Sequence, residues 1–346
     1  MDVAHFVEQN KKRIAGDEFY PVDSLLFRQI LQTRVVLQRT GDLFDLLSAH
    51  EEVGVSLLHQ GTISTALEHH EQSIRLYNPG AHGCLAYTVG FDRGVGAHSY
   101  AAQAHAYLGY LDRAFAASEA AVALAQRVEH PLSLAQAVFY AGVVHFERGE
   151  FDRTRERAAE VVGLAEQLGF PLFLGVGRVL RGWARVQSGD REAGLAETQQ
   201  TIGEWAASGS GLGAPQFFAM LAASLRKVGR HNDALSALAR GMARAEEQGQ
   251  HFYDAELHRL RAEILLDMDG NGVEEVDALF NQALEIARRQ EAKTFELRVA
   301  TSLARLWQRQ GKHGAARDLL APVYEWFTEG SDTRDLKDAK AVLGQP

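Results

Sequence analysis

A chain of 346 residues, 46% hydrophobic and 23% charged with only 7 prolines, carries ample material for a packed core and is unlike a disordered polymer. Its formal charge of −9 and pI near 5.9 run against nucleic acid or an anionic membrane as main partner, since both select basic surfaces. The single cysteine, Cys84, excludes an internal disulfide, and the start Met1-Asp2-Val3-Ala4-His5 lacks the basic and apolar regions of a signal peptide, so the expected location is cytoplasmic.

Taken in chain order, residues 1–23 hold mixed charge plus Pro21 and read as an N-terminal extension or partial cap, followed by a helix containing Leu25 to Leu37. Residues 24–327 read as one helical array. Within it the rhythm fails over an irregular, glycine-rich connection at 78–97, and long connections inside a compact array are often functional. His82, Cys84, Asp92 and Arg93 are the candidates there. A Cys–His pair is the minimum of a thiol nucleophile, but a lone cysteine is more often a small buried hydrophobe, and Leu85, Val89 and Phe91 suit a connector that packs along the array.

From Gly149 the array shows its period. Glycines recur at 149, 169, 189, 209, 229 and 249, each 20 residues after the last, and glycine tolerates the left-handed backbone that closes a helix. A helix of about 15 residues plus a turn fits this spacing, and two such helices make a repeat of about 40. Pro131 and Pro171, also 40 apart, fall where a first-turn residue needs no N–H. Segments such as Leu134–Ala141 and Ala219–Leu225 are rich in alanine and large apolar residues without strand alternation, and so read as buried helices.

The stretches Gly109-Tyr110-Leu111-Asp112-Arg113-Ala114, Gly229-Arg230-His231-Asn232-Asp233-Ala234 and Gly311-Lys312-His313-Gly314-Ala315-Ala316, with small residues upstream at Gly54, Ala102, Gly142, Gly182, Ala222 and Ala304, resemble the tetratricopeptide (TPR) family over roughly residues 40–327. The period of about 40 is longer than that family's 34 and implies longer helices. Ala255–Arg261 and Leu319–Gly330 further resemble the C-terminal TPR region of large bacterial predicted ATPases, some of them linked to adenylate or guanylate cyclases. That resemblance implies a sensing or docking scaffold, and the chain has no Gly-x-x-x-x-Gly-Lys-Ser/Thr loop. The expected fold is all-α, a right-handed TPR-like superhelix of antiparallel helix pairs.

Asp267-Met268-Asp269-Gly270-Asn271-Gly272 imitates the opening of a calcium loop, but position 12 would be Ala278, so the bidentate carboxylate is missing and an ordinary inter-helix turn is expected. Residues 328–346 form a capping helix and tail, with apolar Leu336, Ala339 and Leu343 opposite a charged face. None of the 14 histidines has metal-ligand spacing: His69 and His70 point to different faces and His98 with His105 lack a third ligand. No metal, no cofactor and no catalytic residues are expected.

Under the family register the first helix of each pair faces the concave side and would present Tyr107, Phe139, Phe146, Trp183, Arg226, Lys227, Arg259, Arg298 and Arg305. Aromatic and arginine side chains supply much of the energy at interfaces, so this surface suits a peptide or an acidic protein partner. The expected function is a non-enzymatic scaffold binding a protein or peptide, in bacterial signalling or regulation. The alternative is a sensor of a small-molecule ligand. Several of these side chains serve equally well as core contacts, because a one-residue phase error turns a helical side chain by about 100°.

Overall fold

The computed structural model describes residues 43–207, 211–268 and 273–344. The extension at 1–23, the helix expected from Leu25 to Leu37, Gly209 and most of the calcium-like turn lie outside the described residues. Fourteen long helices follow one another as seven antiparallel pairs: α1 Leu43–Gln60 and α2 Ile63–Leu76, α3 Arg93–Tyr107 and α4 Leu111–Val128, α5 Pro131–Glu147 and α6 Phe151–Leu168, α7 Pro171–Gln187 and α8 Arg191–Ala207, α9 Ala214–Lys227 and α10 His231–Gln248, α11 Asp254–Met268 and α12 Val273–Arg289, α13 Lys293–Arg309 and α14 His313–Glu325. A last helix, α15 Arg334–Leu343, packs on α13 and α14 and buries Leu336, Ala339 and Val342. No strand occurs among the described residues.

The glycine ladder marks helix ends. Gly149, Gly169, Gly189, Gly229 and Gly249 have φ between 66° and 107°, and each ends one helix so that the next can reverse. Glu129 stands at the ladder position before Gly149 and adopts the same left-handed backbone, with φ 57°. Small residues mark where the helices of a pair cross. A Cβ on Gly182 of α7 would lie 2.7 Å from the carbonyl oxygen of Gly194 on α8, so the two backbones touch there.

The irregular connection is shorter than its composition suggests. Two one-turn helices, Pro79–His82 and Ala86–Val89, flank a 3-10 turn, and α3 already begins at Arg93. Gly94 and Gly96 therefore sit inside a helix, where the missing side chains let α3 approach the Tyr77 ring and the Glu51 carboxylate.

The array winds until its last repeats meet the first two described pairs. Phe252 donates its N–H to the His59 carbonyl (3.2 Å), Thr294 Oγ1 donates to the Ala106 carbonyl, and the Gln290 side chain lies so close to Gly61 that a Cβ there would stand 2.5 Å from its Nε2. Tyr107 fills the axis of this turn against Phe252, Tyr253 and Phe295, at ring separations of 5.0–6.3 Å. Farther along the seam, Glu329 accepts from the N–H groups of Asp112 (2.9 Å) and Arg113 (3.1 Å). Tyr110, the residue before α4, offers no side-chain cap, so a carboxylate more than 200 residues away satisfies the helix's first-turn donors.

Two predictions follow from the packing. Glu129→Gly should raise stability by about 0.5–1 kcal/mol, because relief of the left-handed strain outweighs the added freedom of the unfolded chain; a lower melting temperature would contradict this. The second concerns acid. Burial holds the His59 imidazole at about 4 and the His70 imidazole at about 3, where His70 stacks on Tyr100 with ring centroids 5.5 Å apart. Both are depressed below the unfolded value, so below pH 6.5 the unfolded chain binds protons that the fold refuses, and stability falls with pH. His70→Leu should flatten that fall by about 1.4 kcal/mol per pH unit between pH 6 and 4, read by urea denaturation; an unchanged slope would show that His70 is not held neutral.

Candidate functional site

One half-open cavity of about 580 Å³ lies on the concave side of the C-terminal half. Its walls are the inner faces of α5, α7, α9, α11 and α13, and α15 closes it on one side. Seven of the nine concave-surface candidates meet there: Phe146, Trp183, Arg226, Lys227, Arg259, Arg298 and Arg305. Tyr107 and Phe139 do not. Tyr107 is fully buried in the axis, and Phe139 is buried against Tyr140 and Phe173 (5.1 and 6.4 Å), because both belong to the part of the array where the concave side is filled by the seam or by neighbouring repeats. They are core residues.

The aromatic wall is itself half core. Trp183 sits edge-on between Phe146 (4.5 Å) and Phe151 (5.4 Å) and keeps only 7% of its surface exposed, so the ring both supports the array and borders the cavity. Met220, Ala223 and Leu260 extend this apolar face.

The basic set is not the bare positive surface that the sequence suggests, because carboxylates interleave with it. On α11, Glu256, Arg259, Glu263 and Asp267 follow at helical spacing and share one face. Arg259 donates to Glu256 (2.7 and 2.9 Å) and to Glu263 (2.7 Å), while Arg226 of α9 pairs with Glu263 and with Asp267 (2.6 Å). Burial would push the Glu263 carboxyl up, but Arg259 and Arg226 together hold it at about 2. The three carboxylates on α11 stand three residues before and four and eight residues after Arg259, a helical spacing present in the sequence.

Arg298 of α13 is the hub. It donates to the Glu147 carboxylate (2.9 Å) and to the Glu147 carbonyl (2.8 Å) on α5, to Asp335 on α15 (2.6 Å), and stands 3.7 Å from Glu256. Glu147 is fully buried, and Gln216 donates to its other oxygen at 3.2 Å. Burial pushes the Glu147 carboxyl up to about 7 against the pull of Arg298, with Glu256 and Asp335 adding to the rise. Beside this hub, Arg148 bonds the Leu111 carbonyl and accepts Asp112, Glu150 and Asp332 as ion-pair partners, and Arg334 donates its N–H to the Arg148 carbonyl (3.4 Å).

The loop candidates lie away from the cavity and serve the fold. Asp92 caps α3 by accepting from the Val95 N–H (2.9 Å) and also accepts from the Tyr77 hydroxyl (2.6 Å). Arg93 pairs with Glu51 and Glu52, and His82 Nδ1 accepts from the Asn78 N–H. Cys84 is exposed, and its sulfur approaches the Ala81 carbonyl rather than His82.

No family model and no curated protein matches the chain. Solved structures do. The Rap conjugation gene regulator of the plasmid pLS20, in complex with the Phr* peptide, is similar over 99% of this chain and 94% of its own, with 15% identity and a TM-score of 0.62. NprR in complex with its cognate peptide NprX is similar over 94% of each chain, with 12% identity and a TM-score of 0.62. The architecture is that of a TPR-like helical repeat. A signal-transduction ATPase with a tetratricopeptide repeat sensor from Pyrococcus horikoshii also matches, at 12% identity and a TM-score of 0.48, and this chain spans 50% of its length.

The hub yields a prediction with opposite signs for two variants. Arg298→Ala leaves buried carboxylates without their cation and should cost about 3–5 kcal/mol. Glu147→Gln keeps an acceptor for Arg298 and removes a charge that burial disfavours. The folded value of about 7 lies above the unfolded 4.5, so ionisation costs the fold stability as pH rises through that window. Glu147→Gln should therefore gain on the wild type by about 1–3 kcal/mol as pH rises from 5 to 8. A gap that shrinks over that range would contradict the assignment.

Proposed function

We propose that this chain is a non-enzymatic regulatory scaffold that binds a short peptide, or an extended segment of a protein, in the concave cavity of its C-terminal half. The observation that carries the reading is the cavity itself. It joins an apolar, aromatic wall to a line of charged groups along α9, α11 and α13, which is the pairing of shape and polarity that fixes an extended ligand in place. Its size lies within the range of ligand pockets, and walls of packed helices make it largely pre-formed. Similar arrays solved with peptides support the reading at the level of fold. The internal ion pairs count against the purely acidic partner that the arginines alone suggest, because each arginine reaching the cavity's interior already holds carboxylates.

A mixed-sequence hexapeptide library passed over the immobilised chain tests the reading. Retained peptides should be lost with Ala223→Trp, which fills the cavity from α9 while leaving the ion pairs in place, provided the variant melts as the wild type does. Retention unchanged by the blocked cavity would move the site elsewhere. Trp183→Ala is the poorer probe, since truncating a ring so buried should lower stability by about 3 kcal/mol whatever its part in binding.

A further inference from the structure

Charge is segregated along the cavity. In the inner part, Arg226, Arg259 and Arg298 face Glu147, Glu256, Glu263, Asp267 and Asp335, so three guanidinium groups are shared among five carboxylates. The outer part is the reverse. Among the described residues, Lys227, Arg305 and Arg334 face Asp338 alone, which lies 3.7 Å from Arg305 and 3.8 Å from Arg334. Lys227 Nζ rests on the Gln187 side chain (2.9 Å) and carbonyl (3.3 Å), both of them neutral acceptors. The arginines of the outer set are also the more exposed, Arg305 at 43% and Arg334 at 53% against 13–14% for Arg259 and Arg298 and 30% for Arg226.

Such an arrangement has a direction. A carboxylate entering the inner part would meet an excess of like charge in a partly enclosed space, where walls of low dielectric strengthen the repulsion. In the outer part it would find three cations and, among the described residues, one anion already shared between two of them. The Arg334 guanidinium lies over the Phe151 ring (4.9 Å), which holds it beside the aromatic wall. Burial and the neighbouring Arg334 and Arg191 also lower the Lys227 ammonium from its ordinary value, as expected for a cation among cations.

We propose that Lys227, Arg305 and Arg334 form a carboxylate seat at the outer end of the cavity, which fixes the orientation of the bound peptide by taking its carboxylate there and leaving its body along the aromatic wall. The inference rests on the peptide reading above. The carboxylate comes from the peptide's C-terminus or from an aspartate or glutamate side chain, and both present the same two oxygens to the same cations.

The test uses the whole chain and four forms of one hexapeptide library: free C-terminus or C-terminal amide, each with and without Asp and Glu among its residues. If the terminal carboxylate is seated, peptides selected from the free library lose about tenfold in affinity on amidation, and the amidated library free of Asp and Glu retains nothing. If a side chain supplies it, amidation is harmless and removal of Asp and Glu costs that factor. In either case Lys227→Gln and Arg305→Gln should each weaken the selected peptide and reduce the salt dependence of its binding, with melting unchanged because both side chains are exposed. Peptides that bind equally well when amidated and free of Asp and Glu overturn the seat but leave the peptide reading standing. Retention of none of the four forms overturns that reading and the seat with it.

Discussion

The contact on which the rest depends is Arg298 against Glu147. An array of helix pairs needs contacts only between neighbours, and left to itself it grows as an open curve. Here a guanidinium on the seventh pair bonds both the carboxylate and the carbonyl of a residue 151 positions earlier, inside a space from which water is largely excluded. Isolated, either charge would be expensive to bury. Together, and with Asp335, Glu256 and Gln216 around them, they hold the C-terminal repeats against the third pair and so define one wall of the cavity.

Closure changes what the concave surface is. In the N-terminal half it is consumed: Tyr107, Tyr100 and Tyr140 are buried as the axis of the turn, and His59 meets Phe252 across the seam. In the C-terminal half it remains open as the cavity. A groove running the whole length of the array is thereby replaced by one enclosed stretch, and the candidates divide between core and site according to which half they occupy.

The fold was legible because its signals are local. The glycine ladder reports a backbone conformation that few other residues adopt, and the small residues at Gly54, Gly142 and Gly182 report close approach of paired helices. Seven of the nine concave candidates share one cavity for the same reason, since the period places the inner face of every first helix. What the sequence hides is closure. The pairing of Arg298 with Glu147 and of Glu329 with the start of α4 has no signature at any fixed spacing, so Tyr107 reads as surface and the arginines read as unpaired. Glu256, Glu263 and Asp267 are legible as partners of Arg259, since their spacing puts all four on one helical face. The connection at 78–97 reads as irregular from its glycines, whereas Gly94 and Gly96 lie inside α3 and admit close packing there.

Hydrogen exchange at the seam tests the closure most directly. The amides of Asp112 and Arg113 lie in the first turn of α4, have no partner within the helix, and are held only by Glu329. In the wild type they should be protected to the same degree as the Phe252 amide, which crosses the seam to His59. In Arg298→Ala all three should exchange faster together, while amides in the middle of α7 and α8 keep their protection. Rapid exchange at Asp112 and Arg113 in the wild type, or protection indifferent to Arg298, would show that the array does not close on itself.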